Sequence, residues 1–506
     1  MSNRQDFNMK KPFNIYLGRI LINSLQIALQ LCIIIGGGVF LCLIFKPLYL
    51  LVYLFSLFTA FKIAVRRCNI PCRLGWIIGV LAMPIVFLPV YYLYGNGRII
   101  NKIERYMNFN PLQLKQSDKF NAPPHISKQF SGFSKLSGFP VYNNSKCQYL
   151  PTGQDFFETL KKDMQTAKKF IFLEFFIINS GQMWEETLEI LKQKAKQGVK
   201  IYLLFDDMGT ITHLPHTFKK QMKSFGINAR NFNAFNGLLT PAINYRDHRK
   251  IAVIDGKVGY TGGANISDEY INLTHPFGYW KDTAVRVEGD AVNTFTAMFV
   301  QMWNLDKVQL DYADFITNND EDYVDSIVMP FGDYPMCDIG YTEKVFLNLI
   351  NNAQKTIDIT TPYLVPDSRL TSALCLAAEN GVRVRLFTPQ IPDKKYVHIV
   401  TRANYIPLLK SNVEIYEFQG GFIHSKSVIC DNEIAYIGST NLDYRSLYIH
   451  FESGVLTCNS EAVEQLADDI ESILKRSEKI NPDDTKIIKA DKNIFYKVLR
   501  IFSGIL

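Results

Sequence analysis

One pattern occurs twice in this chain, and it limits the possible folds more than any other feature. The first copy, His248–Asn265, reads HRKIAVIDGKVGYTGGAN, and the second, His424–Asn441, reads HSKSVICDNEIAYIGSTN. Each has His, one residue, Lys, four residues and Asp, then an apolar strand, a small-residue turn and an Asn. The chain holds only eight His in 506 residues, and two of them head this pattern. One H-x-K-x4-D is a weak signal, but two copies with matching downstream turns make coincidence a poor explanation.

The repeat extends beyond the motifs. Ahead of the first copy the sequence predicts a helix over Phe156–Ala167, a strand over Phe170–Ile178, a helix over Glu185–Gln197 stopped by Gly198, and a strand over Val199–Phe205. Ahead of the second it predicts a helix over Glu343–Ala353, a strand over Thr356–Leu364, a helix over Arg369–Glu379 stopped by Asn380-Gly381, and a strand over Val382–Phe387. Continuous apolar strands alternating with helices imply mixed, largely parallel sheets buried on both faces. The fold class is therefore α/β, with two similar halves, 145–310 and 311–475. Each half contributes one motif to a site at their interface.

Such a site suits phosphodiester chemistry. An imidazole can act as nucleophile or as proton donor near neutral pH. Lys at i+2 along a strand shares a face with the His and can bind a phosphoryl oxygen. The Asp lies at an odd offset from its His, so it is expected at the far end of the strand, free to orient a His. The small-residue turn offers N–H groups and the amide of Asn265 or Asn441 to phosphate oxygens. With two halves, one His attacks phosphorus and the other protonates the leaving alcohol, then deprotonates the incoming one. The lysines supply the cations, so neither metal nor cofactor is expected. The nine scattered Cys form neither a disulfide framework nor a paired C-x2-C zinc pattern.

The N-terminal part, 1–107, is of another kind. Runs over about 20–45, 48–65 and 74–94 are apolar and each long enough to span a bilayer, which takes about 20 residues. Pro84 and Pro89 lie in the third, where a membrane helix tolerates them. Basic residues on both sides of these runs leave the catalytic face open. A Pro-containing polar stretch, 108–144, reads as a linker. The tail, 476–506, ends in IFYKVLRIFSGIL (Ile494–Leu506), an amphipathic candidate for a membrane surface. The formal net charge of +7 suits anionic partners, whether lipid or nucleic acid.

The paired motifs resemble the HKD motifs of the phospholipase D superfamily. The likeness is closer to bacterial cardiolipin synthases, through YWKDTAVRVEGDAV (Tyr279–Val292), IPDKKYVHIVTR (Ile391–Arg402), GFIHSKSVICDNEIAYIGSTNLDYRSLYIHFESG (Gly421–Gly454) and the membrane segment Asn69–Gly95. The resemblance implies catalytic roles for His248, Lys250, Asp255, His424, Lys426 and Asp431. It also implies phosphate contacts for Asn265 and Asn441, and a carboxylate, Glu452, that supports a catalytic His. It implies a bacterial cell-membrane enzyme, multi-pass, that moves a phosphatidyl group from one phosphatidylglycerol to another and releases glycerol. His248 is the usual nucleophile in that family, although the residues alone leave the two His equivalent. A phospholipase D hydrolase, or a transferase using another alcohol, carries the same motifs. A nuclease is disfavoured by the membrane runs and by the lack of an aromatic–basic single-strand platform, so no nucleic-acid partner is expected. Intact motifs argue against an inactive scaffold. Oligomeric state and acyl preference are not written in the sequence.

Overall fold

Two sheets carry the repeat. The computed structural model describes residues 13–65, 70–95, 107, 114, 122–235, 244–305, 310–317, 326–335 and 340–482. The first sheet is built from β1 (Ser145–Leu150), β2 (Phe170–Phe175), β3 (Lys200–Asp206), β4 (Ile227–Phe232), β5 (Lys250–Ile254), β6 (Val258–Gly262) and β8 (Ala284–Gly289), in the order β1-β8-β6-β5-β2-β3-β4. The second uses β9 (Ile327–Asp333), β10 (Thr356–Thr360), β11 (Arg383–Pro389), β12 (Glu414–Phe418), β14 (Ser427–Cys430), β15 (Ile434–Gly438), β16 (Glu452–Cys458) and β17 (Ser477–Lys479). Its order, β17-β12-β11-β10-β14-β15-β16-β9, repeats the first with one added edge strand. In both, three parallel strands are followed by the antiparallel motif hairpin.

The sequence explains these elements locally. All six residues of β2, FIFLEF, are buried, as a strand covered on both faces requires. The crossover helices Gln182–Lys196 and Ser368–Glu379 are followed by Gly198 and Gly381 at φ 88° and 91°, a backbone region that favours glycine. Asp367 caps the second by accepting from Leu370 N–H at 2.9 Å. One core runs through both sheets. The helix Val292–Trp303 is buried on nearly every side, and Phe299 stacks on Phe172 at 4.2 Å. Phe331 and Tyr436 of the second sheet belong to the same cluster.

Short strands β7 (Tyr279–Lys281) and β13 (Gly421–Ile423) join the halves directly. They pair in parallel, with Trp280 opposite Phe422. This pairing, and the bridge from Asp247 to Phe451, set the two motifs against each other.

Three expectations change. Within the expected linker, Pro124–Ser137 is a helix, because Ile126, Phe130 and Phe133 form a buried i, i+4, i+7 stripe on the core. The third apolar run is two short helices, Ile70–Ala82 and Pro84–Val90, ending in a π turn, Tyr91–Gly95. Pro84 lacks an N–H and its ring collides with the preceding turn, so it starts a new helix instead of continuing one. Among the described residues, two helices are long and apolar enough to cross a membrane, Ile20–Phe40 and Lys46–Ala64. Their outward Leu25, Leu29, Phe40 and Phe61 are exposed. The tail begins as sheet, since β17 pairs with β12, whereas Ile494–Leu506 lies outside the described residues.

Candidate active site

Each motif begins just before a central strand. Lys250 opens β5, and His248 lies two residues earlier; Ser427 opens β14, directly after Lys426. Main-chain bonds then tie each His to the other half. His248 N–H donates to Phe451 O at 2.9 Å, and His424 N–H donates to Lys281 O at 2.7 Å. The residue after each acceptor is an acid. Glu452 therefore meets His248, with Nδ1 3.0 Å from both carboxylate oxygens, and Asp282 meets His424, with Nδ1 2.6 Å from Oδ2. Each imidazole is held by a carboxylate from the opposite half. Ser439 Oγ donates to Glu452 Oε2 at 2.5 Å and fixes that carboxylate in turn.

Asp282 was missed in the sequence, although a signal was present. The equivalent strands β8 and β16 are each preceded or opened by an acid, Asp282 and Glu452. Superposing the halves through those strands pairs the two residues.

The site is buried, and it sets two lysines against the two carboxylates. His248, Lys250, His424 and Lys426 are all less than a tenth exposed. Phe176 covers His248 at 5.2 Å, and Trp280, Tyr270 and Phe422 surround His424 at 5.1–5.7 Å. Burial, then the charges of Lys250 and Lys426, hold His248 well below the usual imidazole range. His424 is pulled down to about 4 by burial and Lys426, against the opposing pull of Asp282. Burial also lowers Lys250 to about 7 and Lys426 to about 8. Both imidazoles are therefore neutral at pH 7. A neutral ring donating Nδ1–H to a carboxylate keeps its Nε2 lone pair free. Each ammonium spends one hydrogen on the carbonyl of its own His and keeps two for a ligand.

Asp255 and Asp431 lie at the far end of the strand, as their odd offset predicts, but their hydrogen bonds go to main-chain N–H groups and not to a His. Each sits past the far end of its strand, where it accepts three main-chain N–H bonds. For Asp255 the donors are Lys168, Lys169 and Phe170, at 2.7, 2.7 and 2.8 Å; for Asp431 they are Gln354, Lys355 and Thr356, at 2.8, 2.7 and 2.8 Å. Five residues of extended strand separate Lys250 from Asp255 by roughly 16 Å at about 3.3 Å per residue. Both Asp residues have φ 55° and open the tight turn of the motif hairpin, with Gly256 at φ 68° and Asn432 at φ 54°. They clamp that turn to the start of the neighbouring strand.

Both halves match a family profile described as "Cardiolipin synthase, PLD-like domain", over residues 160–303 and 346–474. The chain belongs to this family. The cardiolipin synthase of Alkalihalophilus pseudofirmus is 32% identical over 431 residues, covering 81% of this chain and 84% of that protein. An uncharacterized protein of Streptococcus mutans is 40% identical over 405 residues, covering 80% of this chain and 87% of its own. The crystal structure of phosphatidylserine synthase from Haemophilus influenzae shares the fold, with TM-score 0.58 at 16% identity, covering 75% of this chain and all of that one. The chain is thus an enzyme of the phosphatidyltransferase kind.

Within this cardiolipin synthase-family site, the remaining sequence candidates sort by their bonds. Asn265 is largely committed to the protein: its Oδ1 accepts from Ile177 N–H at 3.0 Å and its Nδ2 donates to Tyr270 at 2.7 Å. One amide hydrogen is left for a ligand. Asn441 is 4% exposed, and its buried Oδ1 has no hydrogen-bond partner. Arg249, fully buried between the motif residues, donates to Glu452 O and Asp333 O, both at 3.2 Å. Burial pushes Asp247 up to about 7 and raises its neighbour Glu174 well above the carboxylate range. Asp206 caps a helical turn through Met208 N–H at 2.8 Å and pairs with Arg246 at 3.1 Å. Arg402, next to His398 on the same helix, is bonded to Glu417 at 2.6 and 2.9 Å. Among the described residues, one group has donors close enough for a metal: His248, His450 and Glu452, with ligand atoms within 4.8 Å of one another. It consists of the His248–Glu452 pair with a third imidazole beside it.

Proposed function

We propose that this chain is a cardiolipin synthase working through a phosphohistidine. His248 Nε2 attacks the phosphorus of one phosphatidylglycerol. The bond from phosphorus to the headgroup glycerol oxygen breaks, and His424 gives that oxygen a proton. The positive charge on the substituted His248 ring is balanced by Glu452 through Nδ1–H. His424 then takes the proton from a primary hydroxyl of a second phosphatidylglycerol. That oxygen attacks phosphorus and releases His248, giving cardiolipin and glycerol. Lys250 and Lys426 stabilise the equatorial oxygens, where charge concentrates in the transition state, in a site of low dielectric.

The observation that carries this reading is the crossed pairing of two neutral imidazoles with opposite-half carboxylates between two buried lysines. To act as the acid, His424 takes up a proton from solvent on Nε2 as substrate binds, since its neutral form has its one N–H on Asp282. The entering phosphodiester anion offsets the lysine charges that depress it, and Asp282 stabilises the imidazolium.

The apolar helices give the placement a physical sense. Both substrates stay in the bilayer, and Ile20–Phe40 and Lys46–Ala64 would hold the site against it as membrane spans. The test uses purified full-length protein in detergent micelles with phosphatidylglycerol as the only lipid. Cardiolipin and glycerol in equal amounts support the proposal. Phosphatidic acid alone makes the chain a hydrolase, and no turnover rejects both.

A further inference from the structure

A cleft opens beside the paired histidines, and no role described so far uses it. It has about 540 Å3 of empty space, part of it open to solvent, and is lined by Tyr363, Val365, Lys394, Val400, Tyr444 and Arg445, with Asp443 between the walls. One wall, Tyr444-Arg445, follows directly on the second motif. The other holds Tyr363, whose ring is 6.5 Å from Phe422, which in turn packs 5.7 Å from His424. The charge of Lys394 reaches His248, and those of Asp393 and Asp443 reach Lys426, so cleft and reaction site adjoin.

The polar groups of the cleft are unequally engaged. Asp443 accepts from Ser446 N–H at 2.8 Å, as the cap of the short helix Tyr444–Tyr448. Asp393 accepts from Tyr363 OH at 2.5 Å. Arg445 donates to Asn244 Oδ1 at 3.1 Å. Lys394 lies over the Tyr363 ring at 5.2 Å, with its side chain half exposed and Nζ 3.9 Å from Asp393. An ammonium with three donors, one long bond to Tyr363 OH at 3.5 Å and one loose carboxylate neighbour retains capacity for an anion.

In-line displacement puts the leaving and the attacking oxygen in the same place, opposite His248, at different times. The two alcohols differ at their far ends. The leaving glycerol is neutral there, whereas the acceptor's glycerol carries the phosphodiester of a second lipid. We propose that this cleft is the acceptor subsite, in which Lys394 and Arg445 bind the phosphodiester of the incoming phosphatidylglycerol and so favour it over free glycerol or water. The inference rests on the transfer reading above. It adds two specificity-determining residues and a reason why the released glycerol does not simply re-attack.

The test supplies deuterated glycerol to full-length protein in phosphatidylglycerol micelles. Attack by glycerol on the covalent intermediate returns phosphatidylglycerol with a labelled headgroup, while attack by lipid gives cardiolipin. In Lys394→Met and Arg445→Met the ratio of cardiolipin to labelled phosphatidylglycerol should fall about tenfold or more, as loss of a charge-assisted bond to the acceptor implies. Lys394→Arg should restore much of it. An unchanged ratio in both Met variants, or equal loss of both products, overturns the acceptor assignment. Cardiolipin without any label entering the wild-type lipid, even at high glycerol, counts instead against the covalent intermediate.

Discussion

Replacing Asp255 or Asp431 with Asn should cost stability and spare catalysis. The substitution keeps the side-chain shape and suits φ 55°, a left-handed conformation that Asn adopts readily. What it removes is the charge that accepts three main-chain N–H bonds, at 2.7–2.8 Å for each Asp. Hydrogen bonds to a charged group are worth about 1.5–3 kcal/mol, and neutral ones about 0.5–1.5. The loss is therefore about 1 kcal/mol for each bond that the amide oxygen keeps, and more for the N–H left facing the NH2, which cannot accept, before solvent screening, which is appreciable because Lys168, Lys169, Gln354 and Lys355 are exposed. About 2 kcal/mol per variant is the expected outcome. The assay pairs urea unfolding of the detergent-solubilised protein with cardiolipin formation per folded molecule. The unfolding midpoint should drop while turnover stays within about threefold. An unchanged midpoint with turnover down a hundredfold would refute the structural assignment and return these carboxylates to the chemistry.

Other outcomes follow from the same geometry. Glu452→Gln should slow the first burst of glycerol release about 10- to 100-fold, because an amide cannot balance the charge on the substituted His248 ring; a full burst contradicts that role. Asp282→Asn should lower turnover and shift its pH profile, since the 2.6 Å bond to His424 supports the imidazolium; a profile identical to wild type argues against an acid role for His424. His424 has a folded-state value of about 4 against an ordinary 6.5, so its contribution to stability is complete above pH 6.5 and is lost as pH falls toward 4. The loss is about 3 kcal/mol at most for this group, and equal urea midpoints at pH 7.5 and 4.5 would be incompatible with it. Chelators should leave the initial rate unchanged; loss of rate that added zinc restores would instead make the His248, His450 and Glu452 group a metal site.

The architecture was legible because it rests on local signals. Strands buried on both faces, and crossover helices stopped at Gly198 and Gly381, appear directly as apolar runs and punctuation. The partner of His424 shows in the sequence only as the counterpart of Glu452 in the repeat, because Asp282 lies 142 residues away in the other half and meets it through the β7–β13 pairing. The place of Asp255 at the far end of its strand was legible from the odd offset, but its partners, the N–H groups of Lys168, Lys169 and Phe170, come from another strand's start and carry no side-chain signal. The helix Pro124–Ser137 was masked by its prolines and polar residues, though three apolar side chains at helical spacing were enough to dock it.

The central claim is that His248 and His424, from different halves, act as nucleophile and as acid–base. A phosphatidyl donor with an activated phenolate leaving group needs no proton for the first step. In His424→Ala such a donor should release its phenolate and leave the phosphatidyl group on the enzyme, since nothing deprotonates the acceptor. Peptide mapping at alkaline pH, where phosphohistidine survives, should find the adduct on His248. No adduct there, or an adduct on His424 when His248→Ala is given the same donor, would contradict the account.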